Sequence, residues 1–343
     1  MGFLAFTAGL GGTATLQLST PAAASACGAL AMPVAATAPA QITAESAILS
    51  LVDGVERIDM RLAIDSETKE TGLIVPVPAT PKVTAGSLTD FTAIIKETSP
   101  IGVHKDIWWS RKPEPAPTTE PTGPAGPTGT GTPSAQAGRV QIGPLDVTVM
   151  EASNPKLLTD WLTKHKYALS DSVTPLLDHY AALGWSFVGI KLTSEIPMKG
   201  QLTPIRLEFP SKTLVYPMAL AAGATTPQNL SVAIFSDHRQ DVTFMSGQPV
   251  PQAVVTWARD VHASSLKSRG TYLTVVSLTF DDPATTVTDD LKFVPAATDD
   301  PVVTTVETYS YMVLFGIPIG WLLVGAVVTI GSTVAALAFI PTR

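Results

Sequence analysis

The end of the chain restricts the fold before any motif is found. From Phe293 to Thr342 there is no lysine or arginine, and the closing stretch "FGIPIGWLLVGAVVTIGSTVAALAFIPTR" carries one cation, Arg343. An apolar run of this kind has to be taken out of water, into a core or into a bilayer. As one helix, Tyr311 to Ile340 would be about 45 Å long, too long for a hydrocarbon layer of about 30 Å. Pro318 divides it, because proline suits the first turn of a helix and disrupts its interior. A helix over residues 318–340 spans roughly 33 Å. Trp321 then falls in the outer interfacial belt and Arg343 just beyond the inner edge, while Asp299, Asp300 and Glu307 precede the span. The pattern predicts a single-pass membrane protein, with its body outside and residues 341–343 at the cytoplasm. Along that helix Gly325, Thr329, Ser332 and Ala336 fall within about 60° of one another at 100° per residue. Such a stripe of small residues lets another membrane helix approach closely.

The other end is apolar too. No lysine or arginine precedes Arg57, and "MGFLAFTAGLGGTATLQLSTPAAASACG" leads through Pro21 to Ala24-Ser25-Ala26, an A-x-A cleavage pattern. The reading is a signal peptide over residues 1–26, with Cys27 left first. It departs from the usual pattern in having no cation before the apolar core. Cys27 is then a free thiol or a lipid attachment point; the position favoured by leucine in lipoproteins holds Ala24. As the single cysteine it excludes an intramolecular disulfide and a cysteine-based zinc site.

Between the ends the chain reads as one medium-sized extracytoplasmic domain in two parts, 27–111 and 139–300, followed by a juxtamembrane segment, 301–317. The two parts flank "RKPEPAPTTEPTGPAGPTGTGTPSAQAG", and residues 112–138 are expected to be a disordered loop rich in Pro, Gly and Thr. The net charge of −7, with no basic stripe carrying interleaved aromatics, excludes nucleic acid as a partner. Residues 42–50 and 56–64 alternate apolar and polar around Val52-Asp53-Gly54, a hairpin pattern. "TGLIVPVPATPKV" reads as a buried strand punctuated by proline, and "SLTDFTAIIKETSP" as a short helix. Asn154 and Pro155 open a helix carrying Leu157, Leu158, Trp161 and Leu162 on one face. A second helix runs from Asp171, near its cap, to Gly184. "WSFVGIKL", "PIRLEFP", "LVYPMAL", "LSVAIFS" and "TYLTVVSLTF" read as strands. The fold class expected is α+β: a mostly antiparallel sheet with a helical hairpin, plus one C-terminal transmembrane helix.

The order of segments resembles a known family. Cys-Gly after the leader, "VDGVERIDMRLAI", "LIVPVPATPKV", a low-complexity insertion, "LLTDWLTKHKY", "LLDHYAALGWSFVGIKL" and "GQLTPIRLEFPSKTLVYPMAL" together resemble domain-of-unknown-function family 2330. The likeness covers roughly residues 27–240. It implies a bacterial exported protein, often with a C-terminal anchor, and brings no established activity. Members often carry a second cysteine shortly after the first; here Met32 stands in that region, so the disulfide implied by the family is absent.

Residues that could carry chemistry do not converge in the sequence. None of the five histidines sits in a metal-ligand spacing. His104 with Trp108 and Trp109 abuts the expected loop and reads as semi-exposed packing. Asp178 and His179 are neighbours on a helix, about 100° apart, and form no dyad by themselves. No G-x-S-x-G elbow occurs. The aspartate pairs 281–282, 289–290 and 299–300 lack a calcium-loop pattern and read as solvated turns. No cofactor, metal or catalytic residue is expected. The function expected is a non-catalytic interaction or accessory subunit of a membrane assembly, with the membrane and other membrane proteins as partners. The alternatives are an envelope hydrolase drawing on Asp178 or His179, and a small-ligand sensor.

Overall fold

The computed structural model describes residues 25, 27–36, 40–107, 134–136, 139–154, 156–196, 198–314 and 317–338, and their side chains except at 134–136, 311, 318 and 329–338. The expected leader (residues 1–26, apart from Ser25), Trp108 and Trp109, most of the 112–138 loop and residues 341–343 lie outside the described residues.

Two sheets dominate. The first runs in the order β10 (Tyr167–Ala168), β1 (Ala29–Pro33), β4 (Glu70–Val77), β11 (Ser186–Thr193), β9 (Leu145–Met150), β8 (Arg139–Ile142) and β7 (Ser134–Gln136). The second runs β17 (Ala253–Asp260), β18 (Tyr272–Phe280), β15 (Gln228–Ser236), β2 (Ala40–Val52), β3 (Val55–Ser66), β13 (Ile205–Pro210) and β5 (Lys82–Ala85), with β12 (Met198–Gln201) also on β3. Every pairing in them is antiparallel except β15 with β2. A smaller sheet joins β14 (Leu214–Tyr216), β19 (Leu291–Pro295) and β16 (Gln240–Phe244). β6 (Ile101–Ile107) lies parallel to β20 (Thr305–Tyr311), and β21 (Val313–Leu314) pairs with β22 (Ile317–Pro318). The helices are α1 (Leu88–Glu97), α2 (Lys156–His165), α3 (Thr174–Ala182), the short α4 (Pro283–Thr286) and α5 (Ile319–Ala338), with a 3₁₀ turn at Ala219–Gly223.

The two large sheets face one another across the main core, and each has its outer face covered. In β4, Leu73, Val75 and Val77 enter the core between the sheets, whereas Ile74 packs outward under Trp161 and Tyr180. In β15, Leu230, Val232 and Ile234 point inward, and Ala233 and Phe235 pack outward with Phe91 and Ile94 of α1. Successive side chains leave opposite faces of a strand, so burial of both faces produces the unbroken apolar runs of these segments. The layers are therefore helix, sheet, sheet, helix, a β-rich α+β arrangement. A single antiparallel sheet is too simple: the apolar surface on both faces of β4 and β15 needs a partner on each side.

Local signals in the sequence hold where they rest on backbone chemistry. The β2–β3 hairpin turns at Asp53 and Gly54, both at positive φ (52° and 74°), the geometry that Asp-Gly favours. The Asn154 side-chain oxygen accepts from the Lys156 amide at 3.3 Å, opening α2. Asp171 does not cap α3: that position is Val173, with no side-chain cap, and its helical turn is closed by backbone bonds to Ser170 and Val173. The two helices do not form a simple hairpin either, because β10 intervenes and pairs with β1, leaving both helices laid on the first sheet. Ser134–Gln136, inside the expected loop, forms the edge strand of that sheet.

α5 covers most of the expected span. Among the described residues, whose side chains in α5 end at Val328, no helix is long and apolar enough to cross a membrane.

Gly189 of β11 shows how closely α2 presses on the sheet. A Cβ added there would lie 2.8 Å from Trp161 Cε2 and 2.9 Å from Met150 Cε, so the ring sits where a side chain would otherwise be. Gly189→Val is expected to cost about 1–3 kcal/mol by overpacking, read as a lower urea midpoint with unchanged slope.

Candidate functional site

Three carboxylates lie inside the protein among apolar neighbours, two of them on strands and placed by the strand period, the third just before β19. Glu45 shares the inward face of β2 with Ala47 and Leu49; Glu56 shares that of β3 with Ile58 and Met60. Glu45 accepts from the Tyr216 hydroxyl and, at 3.2 Å, from the Cys27 amide. Burial pushes its carboxyl up to about 7. The Cys27 thiol is wholly buried and free; burial, with Glu45 beside it, raises it well above the ordinary thiol value. That thiol stays protonated and is a poor nucleophile. Glu56 accepts from the Val215 amide at 2.9 Å through one oxygen, while its other oxygen is buried without a hydrogen bond. Burial pushes it up to about 8.

Asp290 is the third. It takes the Met218 amide at 2.7 Å, the Ala219 amide at 2.9 Å and the Tyr180 hydroxyl, tying α3 to the 3₁₀ turn. Burial raises it despite those three donors. The aspartate pair 289–290 is thus no solvated turn. Asp290 is 3% exposed, and Asp289 accepts from the Ser246 amide at 2.8 Å.

A fourth buried cluster sits on the outer face of the second sheet under α1. Arg269 Nη2 lies 2.7 Å from Asp59 and 2.5 Å from Asp90, and Arg206 Nε lies 2.6 Å from Asp59. Two guanidiniums matched to two carboxylates offset the desolvation that each would meet alone. The cluster pins the 261–271 loop to β3, β13 and α1. That loop forms one wall of a cleft of about 770 Å³, whose other walls are the β2–β3 turn and the β14–β19–β16 sheet. Lys212, Lys267 and Lys292 line it together with Asp53 and Asp237. No ion pair among the described residues engages any of the three ammoniums, although the whole chain is acidic. Such a cleft can take an acidic group; it is not legible from the residues alone, because its lysines lie far apart along the chain.

Of the residues singled out from the sequence, His238 and Asp299 meet, and the others do not converge on one site. Asp178 and His179 are exposed on α3. His104 lies on β6, where Ser310 Oγ is 2.8 Å from its Nε2 and 2.8 Å from Asp106. This trio is not a relay, since serine and aspartate both meet the same imidazole nitrogen, whereas a relay needs them on opposite ones. His238 Nδ1 is 2.8 Å from Asp299, and His262 Nδ1 is 3.1 Å from Glu97. No cluster of three metal-ligating side chains occurs among the described residues. Gly325 occupies an exposed position on α5; the side chains of Thr329, Ser332 and Ala336 lie outside the described residues.

The fold is therefore a β-rich, helix-covered scaffold with buried acids and an open mixed-charge cleft. The chain belongs to the bacterial family DUF2330, described as "uncharacterized protein conserved in bacteria", whose model matches residues 21–294. No curated protein matches it. Among solved structures it is similar to baculovirus P35, with 9% identity over 78% of this chain and 98% of that one; at a TM-score of 0.34 this likeness carries no argument.

Glu56 gives the interior a measurable signature. Its folded-state value of about 8 lies above its ordinary 4.5, so the folded protein holds a proton that the unfolded chain releases. Stability should fall as pH rises through that window and level off above it, at about 1.4 kcal/mol per unit of difference. Glu56→Gln, which keeps an acceptor for Val215, is expected to flatten the fall in urea-denaturation free energies measured from pH 4.5 to 9.

Proposed function

We propose that the chain is a non-catalytic interaction protein of the bacterial envelope, held in the plasma membrane by residues 318–340 with its folded body outside. α5 carries this reading. In sequence, residues 318–340 include no Asp, Glu, Lys or Arg, and as one helix they would extend roughly 33 Å, enough for a hydrocarbon layer of about 30 Å; α5 is the part of that stretch described as helix. Several of its described side chains are exposed: Trp321 is 53% exposed and Val327 71% exposed. Exposed apolar side chains along a helix suit a lipid surrounding better than an aqueous one. The small-residue stripe through Gly325 and Ala336 suits a second membrane helix. Outside the membrane, the Lys212–Lys267–Lys292 cleft suits a partner presenting carboxylates or phosphates, the charge this acidic domain otherwise repels.

Two measurements test the parts separately. A reporter active only outside the cytoplasm should be active when fused after Thr305 and silent when fused after Arg343; the reverse pattern removes the topology. Purification in mild detergent should bring down reproducible membrane partners. Lys212→Ser, Lys267→Ser and Lys292→Ser combined should release any partner held by the cleft and weaken the salt dependence of its binding. The circular dichroism melt should hold, since substitutions at unpaired surface charges cost little.

A further inference from the structure

Glu45 is a buried acid with no cation. It is 3% exposed, and the groups that face it are the Tyr216 hydroxyl, the Cys27 thiol and the Cys27 amide. No lysine, arginine or histidine among the described residues pairs with it. A carboxylate in such a place is costly unless a positive charge joins it.

We propose that Glu45 is the receptor for a new N-terminus: the α-ammonium made when the chain is cut before Cys27. The idea rests on the export reading at one step, removal of the leader after Ala24-Ser25-Ala26. In that hydrolysis water adds its oxygen to the Ala26 carbonyl carbon and the C–N bond breaks. Ala26 leaves as a carboxylate, and the nitrogen of Cys27 takes up the protons to become –NH₃⁺. The same nitrogen already stands 3.2 Å from Glu45 Oε2, so the charge forms at the atom where the acid waits. Opposite charge favours the ionised form of each group, holding the carboxylate ionised and the ammonium protonated.

The surroundings fix the order of events. Ser25 and Cys27 are both 0% exposed, and Ser25 is knotted to Gly28 through its amide (2.8 Å) and hydroxyl (3.1 Å). With Ser25 and Cys27 both enclosed in the folded domain, the cut on this proposal precedes folding and the ammonium is carried in with β1. Removal of Ser25 takes two donors from the Gly28 carbonyl, while the ammonium brings three donors where the amide had one. A Cys27 bearing acyl groups could not enter this site, because its nitrogen would have no charge and its chains no room.

The full chain, exported from a bacterium and purified folded, tests this with an amine-acetylating reagent at pH 7, each site being read by mass spectrometry. The mature protein should begin at Cys27 with an unblocked amine. Ordinarily an α-amine, with a pKa near 7.7–8.0, is acetylated ahead of lysine at this pH. Here it should react more slowly than exposed Lys96 and Lys212, each unit of raised pKa slowing it about tenfold. Glu45→Gln should restore fast labelling; should that variant not fold, slow labelling in the native chain that becomes fast in urea stands as the test. An N-terminus other than Cys27, or one blocked by a lipid, overturns the proposal. A chain that is not processed at all overturns the export reading with it. A Cys27 amine labelled ahead of the lysines in the folded protein leaves export standing and removes the role of Glu45.

Discussion

Burial of both faces of both sheets is the constraint from which the rest follows. A strand with one wet face can carry polar residues at every second position at little cost. β2, β3, β4 and β15 have no such face over most of their length, so each polar side chain placed there needs an internal partner. On β2 and β3, Glu45, Glu56 and Asp59 are acids with that need; Asp290, just before β19, has it too, and it is met differently at each. Glu45 has a hydroxyl and an amide; Glu56 has one amide and a raised affinity for its proton; Asp59 has two guanidiniums; Asp290 has two amides and a phenol. These bonds join segments far apart in the chain, so they fix which sheet lies on which as well as satisfying polar atoms.

This division between local and distant chemistry governs how much could be read from the residues alone. The Asp53-Gly54 turn, the Asn154 cap and the apolar runs of β4, β11, β15 and β18 depend on neighbours a few residues away, and they stood in the sequence as they stand in the fold. The family was legible for the same reason, since its segments are ordered motifs. The number of sheets was not. Both faces of β4 are apolar, and nothing local says whether a helix or a second sheet covers each one. The parallel pairing of β2 with β15 joins residues separated by most of the domain, and a hydrophobic period carries no register across such a distance.

The candidate sites show the same limit more sharply. Asp289-Asp290 resembled any pair of acidic turn residues, yet one member is anchored inside by a tyrosine 110 residues away. Tyr216 and Glu45 are 171 positions apart, and Arg269 and Asp90 are 179 apart. The only foresight available was alternation. On β13, Arg206 and Glu208 interrupt Ile205, Leu207 and Phe209 at every second place, which assigns the charges to one face. It could not tell that this face is roofed by α1, where the charge of Arg206 is matched with Asp59.

The placement of these acids also separates what holds the domain from what it offers to others. Arg269 spends its charge internally, on Asp59 and Asp90, and so contributes rigidity to the 261–271 loop instead of attraction to a ligand. Two residues earlier, Lys267 has no such engagement and faces the cleft with Lys212 and Lys292. A loop fixed by a buried charge cluster holds its exposed charge at a defined distance from the opposite wall, which lowers the entropy lost when a partner binds. On α5 the exposed residues Trp321, Leu323, Val324, Val327 and Val328 likewise present apolar surface outward. Internal pairing beneath the loop, with lysines above it that join no ion pair among the described residues, thus separates the charge that holds the fold from the charge the cleft presents.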